Sequence, residues 1–217
     1  MVEGLRASKK RLTRQQLSDT AAALFLERGF DGVRITEVAE RCGVSEKTVY
    51  NYFPSKEALV MDRLSGTATS LQEAFSVRGE HPLDTCLRLL ATERDGVVSG
   101  LEAGGAPALA GFRRFGDLIR ATPSLRAYQS EMIERLVVIA AEGLRAWAGR
   151  PDDDPPADVA AQTLISLWRV QFTSLRRHTA SATDPARLRA QVTADVTAAA
   201  AVVRVTLDHL TAQSSST

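Results

Sequence analysis

The chain has 217 residues, 44% of them hydrophobic, with 27 Lys and Arg against 26 Asp and Glu for a formal charge of +1. That apolar share provides a core for one large domain or a small domain plus a larger one, while the near-neutral balance excludes bulk attraction to nucleic acid. Two cysteines, Cys42 and Cys86, exclude a disulfide framework, and His81, His178 and His209 are scattered without metal-ligand or nucleophile-activating spacing. No metal, cofactor or catalytic residue is therefore expected. No apolar run reads as long enough to span a membrane and no signal-peptide core precedes the first helix, so a cytoplasmic protein is expected.

Residues 1–12 read as unstructured, and they carry an uneven charge: Arg6, Lys9, Lys10, Arg11 and nearby Arg14 against Glu3. Thr13 and Gln16 have capping-box spacing, after which Leu17, Ala21, Leu24 and Phe25 share one helical face up to Gly29. A short second helix turns Val38, Ala39 and Cys42 inward. Gly43 suits a sharp turn, Ser45 can cap the next helix, and Pro54 ends that helix after two turns. Short helix, tight turn and short helix make a helix-turn-helix pattern. On its second helix Val49 and Phe53 share the docking side, with Asn51 opposite between Lys47 and Thr48, and Tyr50 and Tyr52 at the flanks. Amide and ammonium groups can read base edges, and phenols and hydroxyls can bond phosphates. A surface helix with ordinary polar residues would show the same spacing.

From Ser55 the pattern changes to long helices. One is expected to run to about Arg78, burying Leu59, Leu64, Leu71 and Phe75, and to end at Gly79. Pro82 opens another with Leu83, Leu87, Leu90 and Val97 inward. After a break at Gly104-Gly105-Ala106-Pro107 comes a shorter helix with Leu109, Phe112, Phe115 and Ile119. Thr122-Pro123 starts a helix that stops near Gly149, and Arg150–Pro156 is expected to be an exposed, non-helical loop. Helices over about 157–179 and from Asp184-Pro185 to near Leu210 follow, then a serine-rich tail expected to be disordered. The last helix carries the stripe Leu188, Val192, Val196, Ala199, Val203 and Leu207, widened by Ala198, Val202 and Val205, and so needs more than one partner surface. No strand or internal repeat is expected.

The run Gly43-Val44-Ser45-x-x-Thr48-Val49-Tyr50-x-Tyr52-Phe53, followed by Ser55-Lys56-Glu57-x-Leu59, resembles the signature of the tetracycline-repressor (TetR) family of bacterial transcription regulators. The likeness covers roughly residues 13–60, with helix count and length alone beyond it. It departs at Arg34, where the family usually has a capping Thr, and at Glu46-Lys47, where a Lys/Arg-Gly pair is common. The resemblance implies an all-α protein with a three-helix DNA-binding domain (residues 1–54 with the arm) and a six-helix effector-binding and dimerisation domain (residues 55–217). It implies operator DNA, a second copy of the chain and a small lipophilic or aromatic effector as partners. DNA-contacting residues would be Arg34, Thr36, Ser45, Lys47, Thr48, Tyr50, Asn51, Tyr52 and Lys56, with the basic arm on phosphates. Phe112, Phe115, Met132, Trp168, Gln171 and Phe172 would line the effector site, and Val192, Val196, Ala199, Val203 and Leu207 the dimer interface. A helical enzyme or a protein-binding adaptor, with the motif as scaffold, is the competing expectation.

Overall fold

The computed structural model describes residues 2–77, 79–180 and 184–212, and among these it contains nine helices and no strand. They are α1 (Val2–Arg28), α2 (Ile35–Arg41), α3 (Glu46–Tyr52), α4 (Lys56–Val60), α5 (Asp62–Ser76), α6 (Pro82–Ala121), α7 (Pro123–Ala148), α8 (Pro155–Thr179) and α9 (Pro185–Ala212). The all-α expectation holds, with three helices in the N-terminal part and six after it. Leu64 as a core position, Arg78 as a helix end and the serine-rich tail lie outside the described side chains or residues.

Two compact units share the chain. One is Met1–Ser65 with Arg114–Ser130; the other is Gly66–Arg113 with Glu131–Thr217. In the first unit Leu17, Ala21, Leu24 and Phe25 of α1 are fully buried, joined by Val38, Val49, Phe53 and Leu59. The N-terminus corrects the sequence reading: α1 already begins at Val2. Ala7, Lys9, Lys10, Arg11 and Leu12 are strong helix formers with no Gly or Pro among them, so nothing halts the helix there. Thr13 lies inside the helix and cannot be its cap.

Boundaries shift elsewhere for local reasons. The helix expected from Ser55 breaks at Met61, which closes α4 with its N–H on the Glu57 carbonyl at 2.9 Å. The break expected at Gly104–Pro107 is present: α6 consists of two helical segments that meet at Gly105, whose φ 58° and ψ −148° are not helical. Pro155 and Pro156 belong to α8 rather than to a loop. Neither needs a backbone donor in a first turn, and Asp154 caps that turn through its Oδ2, 3.0 Å from the Ala157 N–H.

The second unit packs Leu71, Leu83, Leu90, Val98, Leu136, Leu144, Leu164, Trp168, Leu188, Val192, Val203 and Leu207 into one core. Helices α8 and α9 are its most extensively packed pair. By length and composition α9 over Pro185–Thr211 is apolar enough to cross a membrane, which amends the expectation that no run is. Its stripe at Leu188, Val192, Val196, Val203 and Leu207 is buried in the protomer, so the helix serves as a core element of this unit.

Candidate nucleic-acid interface

The turn between α2 and α3 is built from backbone chemistry. Arg41 ends α2, Cys42 is its C-cap, and Gly43 follows at φ 68°, a left-handed conformation that glycine adopts without a Cβ penalty. The Val44 N–H then reaches the Ala39 carbonyl at 3.0 Å and the Gly43 N–H reaches Glu40 at 3.1 Å, the paired bonds of a Schellman ending. Three residues later Ser45 starts α3, its Oγ accepting the Thr48 N–H at 3.1 Å and lying 2.8 Å from the Thr48 hydroxyl. Phe53 ends α3 in extended geometry ahead of Pro54.

Docking then sets what α3 shows to solvent. Val49 and Phe53 are at 0% and 1% exposure, so the helix is anchored on one side. Lys47, Tyr50 and Asn51 are exposed on the other, with Thr48 and Tyr52 half-buried between. Isolated, a seven-residue helix would not persist; packed this way, it is a rigid rod with an ammonium, an amide and a phenol pointing outward. Arg34 is exposed at the start of α2, and Thr36 is half-buried one residue into that helix.

Arg34 replaces the expected capping threonine, and the cap is rebuilt from the other side. A guanidinium has no acceptor, so it cannot bond the first N–H groups of α2. Instead Glu37 reaches back: its Oε1 accepts from the Arg34 N–H at 3.4 Å and from Arg34 Nε at 3.2 Å, while Arg28 of α1 bonds Oε2. The Arg28 bond, followed by those from Arg34, holds the Glu37 carboxyl below its ordinary range. Glu37 thus joins α1 to the start of α2 and leaves Arg34 facing solvent. Its x-x-Glu spacing after Arg34 is a capping signal visible in the sequence.

Two basic residues are tied down inside the unit. The Lys56 ammonium lies 4.3 Å from the Phe30 ring centre and 5.7 Å from that of Phe25, a cation–π seat against α1 and its turn. Burial pushes the Lys56 pKa down, against the opposing pull of Asp31, Glu57 and Glu37. Arg14, read as part of the basic arm, bonds Asp62 and the Tyr52 carbonyl instead. Lys9, Lys10 and Arg11 are exposed on α1.

The effector candidates divide between the units. Trp168, Gln171 and Phe172 lie on α8, Phe112 on α6 and Met132 on α7, all in the second unit, whereas Phe115 falls in the Arg114–Ser130 segment of the first. Trp168 is at 0% exposure, and its indole N–H donates to Glu93 Oε2 at 3.0 Å while Thr67 donates to Oε1 at 2.6 Å. Phe112 and Phe172 pack against the core that holds Trp168. Gln171 is a buried amide at 2% exposure, and Met132 is buried too. An open groove of about 350 Å³ in the second unit lies instead between Leu83 and Leu87 of α6 and Ala200, Ala201, Arg204 and Val205 of α9, and none of the six candidates lines it. Of the dimer candidates, Val192, Val196, Val203 and Leu207 are buried within the protomer and Ala199 is half-buried. Beside them on α9, Ala194, Ala198, Ala201, Val202 and Val205 are exposed at helical spacing.

A docked short helix after a glycine turn, presenting groove-reading side chains, defines a helix-turn-helix DNA-binding protein. Residues 17–61 match the family described as bacterial regulatory proteins, tetR family. The transcriptional regulator TcmR of Streptomyces glaucescens is 33% identical over 172 residues, covering 76% of this chain and 72% of TcmR. Among solved structures, NalD of Pseudomonas aeruginosa, a repressor of a multidrug efflux pump, superposes with a TM-score of 0.51 at 19% identity, covering 88% of this chain and 97% of NalD. SmeT in complex with triclosan gives 0.52 at 15% identity, covering 88% and 90%. These two likenesses concern the fold. The chain belongs to the TetR family of bacterial regulatory proteins. It is a DNA-binding transcriptional regulator and not an enzyme, which leaves the enzyme expectation without support.

Proposed function

We propose that the protein is a cytoplasmic, homodimeric repressor that holds a near-palindromic operator until a small lipophilic or aromatic effector releases it. The observation that carries this reading is the face of α3, where Lys47, Tyr50 and Asn51 stand free while Val49 and Phe53 are locked inward. Lys47 and Asn51 read base edges; Tyr50, Tyr52 and Thr48 bond phosphates, with Arg34, Thr36, Ser45 and Lys56 supporting the approach. Two such helices enter major grooves one helical turn apart, about 34–36 Å, only if two protomers pair.

Pairing is supported by the exposed stripe Ala194, Ala198, Ala201, Val202 and Val205. Its small residues let another helix approach closely, beside the buried Val192, Val196, Val203 and Leu207 and the half-buried Ala199. Effector binding is assigned to the neighbourhood of Phe112, Met132, Trp168, Gln171 and Phe172 in the second unit, with the Gln171 amide as polar anchor. Release requires an effector that prefers the conformation unable to bind DNA, because equal affinity for both shifts nothing. A gel shift with the DNA flanking the protein's own gene, at several salt concentrations, tests the whole reading. Sequence-selective retention that falls steeply with salt supports it; retention indifferent to sequence overturns it. Trp168→Ala separates effector binding from packing: loss of the ring costs roughly 3–5 kcal/mol if it is core alone. Normal melting and operator binding with lost induction would instead place the effector against the ring.

A further inference from the structure

We propose that Arg14 is a positioning residue for DNA recognition: one guanidinium locks the end of the recognition helix to the first residue of α5, and it is not a phosphate contact. The geometry is a three-way clasp within the first unit. Arg14 Nε lies 2.8 Å and Nη2 2.5 Å from Asp62 Oδ1. Nη1 donates to the Tyr52 carbonyl at 3.1 Å, and the guanidinium carbon sits 4.7 Å from the centre of the Phe53 ring. Tyr52 is the last residue of α3, so its carbonyl is among those a helix end leaves unpaired, and a cation there complements the negative pole. Asp62 opens α5, where a carboxylate complements the positive pole. One planar fork with five donors therefore complements the negative end of α3, pairs with the carboxylate that complements the positive end of α5, and stacks on the ring that closes α3. A lysine at position 14 has neither the fork nor the flat face.

The chain from Asp62 continues along α5, which begins in the first unit and ends in the second. Arg14 thus ties the orientation of α3 to the start of the helix through which the rest of the chain follows. The inference rests on the reading that α3 contacts DNA.

Charge separates the two roles. A phosphate-contacting arginine gains from removal of a nearby carboxylate, whereas a clasp loses by it. The probe is a duplex selected from a random-sequence pool by the unmodified protein. Its affinity for Arg14→Lys, Arg14→Met and Asp62→Asn is measured against salt, with melting temperature recorded for each. The clasp predicts that Arg14→Lys and Asp62→Asn each weaken binding about tenfold or more at an unchanged salt slope, and that the double variant is no weaker than the weaker single one. Equal or tighter binding by Asp62→Asn overturns it. So does a salt slope lowered by about 0.9 in Arg14→Met with affinity retained in Arg14→Lys, the mark of a phosphate contact. A fall in melting temperature with full affinity per folded molecule reduces Arg14 to a stabilising residue and also overturns it. Should the Arg14 variants fail to fold, Asp62→Asn decides alone, because the two roles give it opposite signs. If the unmodified protein selects no duplex, the DNA-contacting reading of α3 fails, and the clasp's role with it.

Discussion

Lys47 and Asn51 are exposed side chains of α3 able to pair with base edges in a major groove, and Tyr50 is the exposed phenol beside them. Replacing Lys47 or Asn51 with Ala is expected to relax the preferred base at one position per half-site, at about 1–3 kcal/mol of discrimination each. Tyr50→Phe is expected to weaken binding evenly over all sequences, because phosphate contacts position without reading. A binding selection that returned one profile for Lys47→Ala and Tyr50→Phe would end this division of labour. The helix face was legible because residues four apart share a side whatever the surroundings, so burial of Val49 and Phe53 could be read from spacing alone. The fates of Arg14 and Lys56 could not. Both look like free cations in sequence, yet one is held by Asp62, 48 positions away, and the other by the rings of Phe25 and Phe30.

Among elements, the glycines and prolines showed where helices end, but α4 ends without either. Pro54 ends α3 by holding Phe53 extended, and Pro82, Pro123 and Pro185 each open a helix, since a missing donor costs nothing in a first turn. Gly105 divides α6 into two segments as its position predicts, whereas the break at Met61 has no breaker residue to announce it. Gly143 of α7 has a reason invisible in sequence: a Cβ there would lie 2.6 Å from the Phe75 ring of α5. Gly143→Ala is expected to destabilise the protein by roughly 1–3 kcal/mol through overpacking, and Gly143→Ala with Phe75→Leu to recover part of that loss. Denaturant unfolding of the two variants checks it; equal loss in both would mean that Phe75 is not the obstacle. Helices α8 and α9 are pinned at Asp195, whose Oδ2 accepts from the Ser174 hydroxyl at 2.6 Å, with His178 Nε2 at 2.9 Å and Arg177 Nη2 at 3.4 Å. The Ser174 bond first, then His178 and Arg177, depress the Asp195 carboxyl below its ordinary 3.8. A depressed carboxyl contributes stability that is fully present above the unfolded value and is lost as pH falls through the folded one. The melting temperature of the unmodified protein should therefore exceed that of Asp195→Asn at neutral pH, with the gap closing only below about pH 4. A gap independent of pH would show that the pin is not electrostatic.

At the scale of the whole molecule, the question is whether the exposed face of α9 is the surface through which the proposed dimer pairs. The sequence shows a stripe too wide for one partner, but period alone cannot say which edge the protomer itself consumes. In the structure Val203 is 2% exposed and Val205, two residues on, is 61% exposed. The two positions are therefore opposite tests on one helix. Val203→Glu places a carboxylate in the apolar core of the second unit and should lower the melting temperature sharply whatever the oligomeric state. Val205→Glu should leave the protomer folded, with secondary structure and melting at low protein concentration close to normal. It should turn a dimer into a monomer by light scattering, because two carboxylates would face each other across an apolar seam. Operator affinity should fall with it, since a monomer presents a single recognition helix and loses the second half-site. Val202→Glu, at 66% exposure in the same stripe, should repeat the result. If both remain dimers that bind the operator normally, the pairing surface lies elsewhere than the exposed face of α9. If Val205→Glu unfolds the chain at every concentration while Val203→Glu does not, the inward and outward faces of this helix have been assigned the wrong way round.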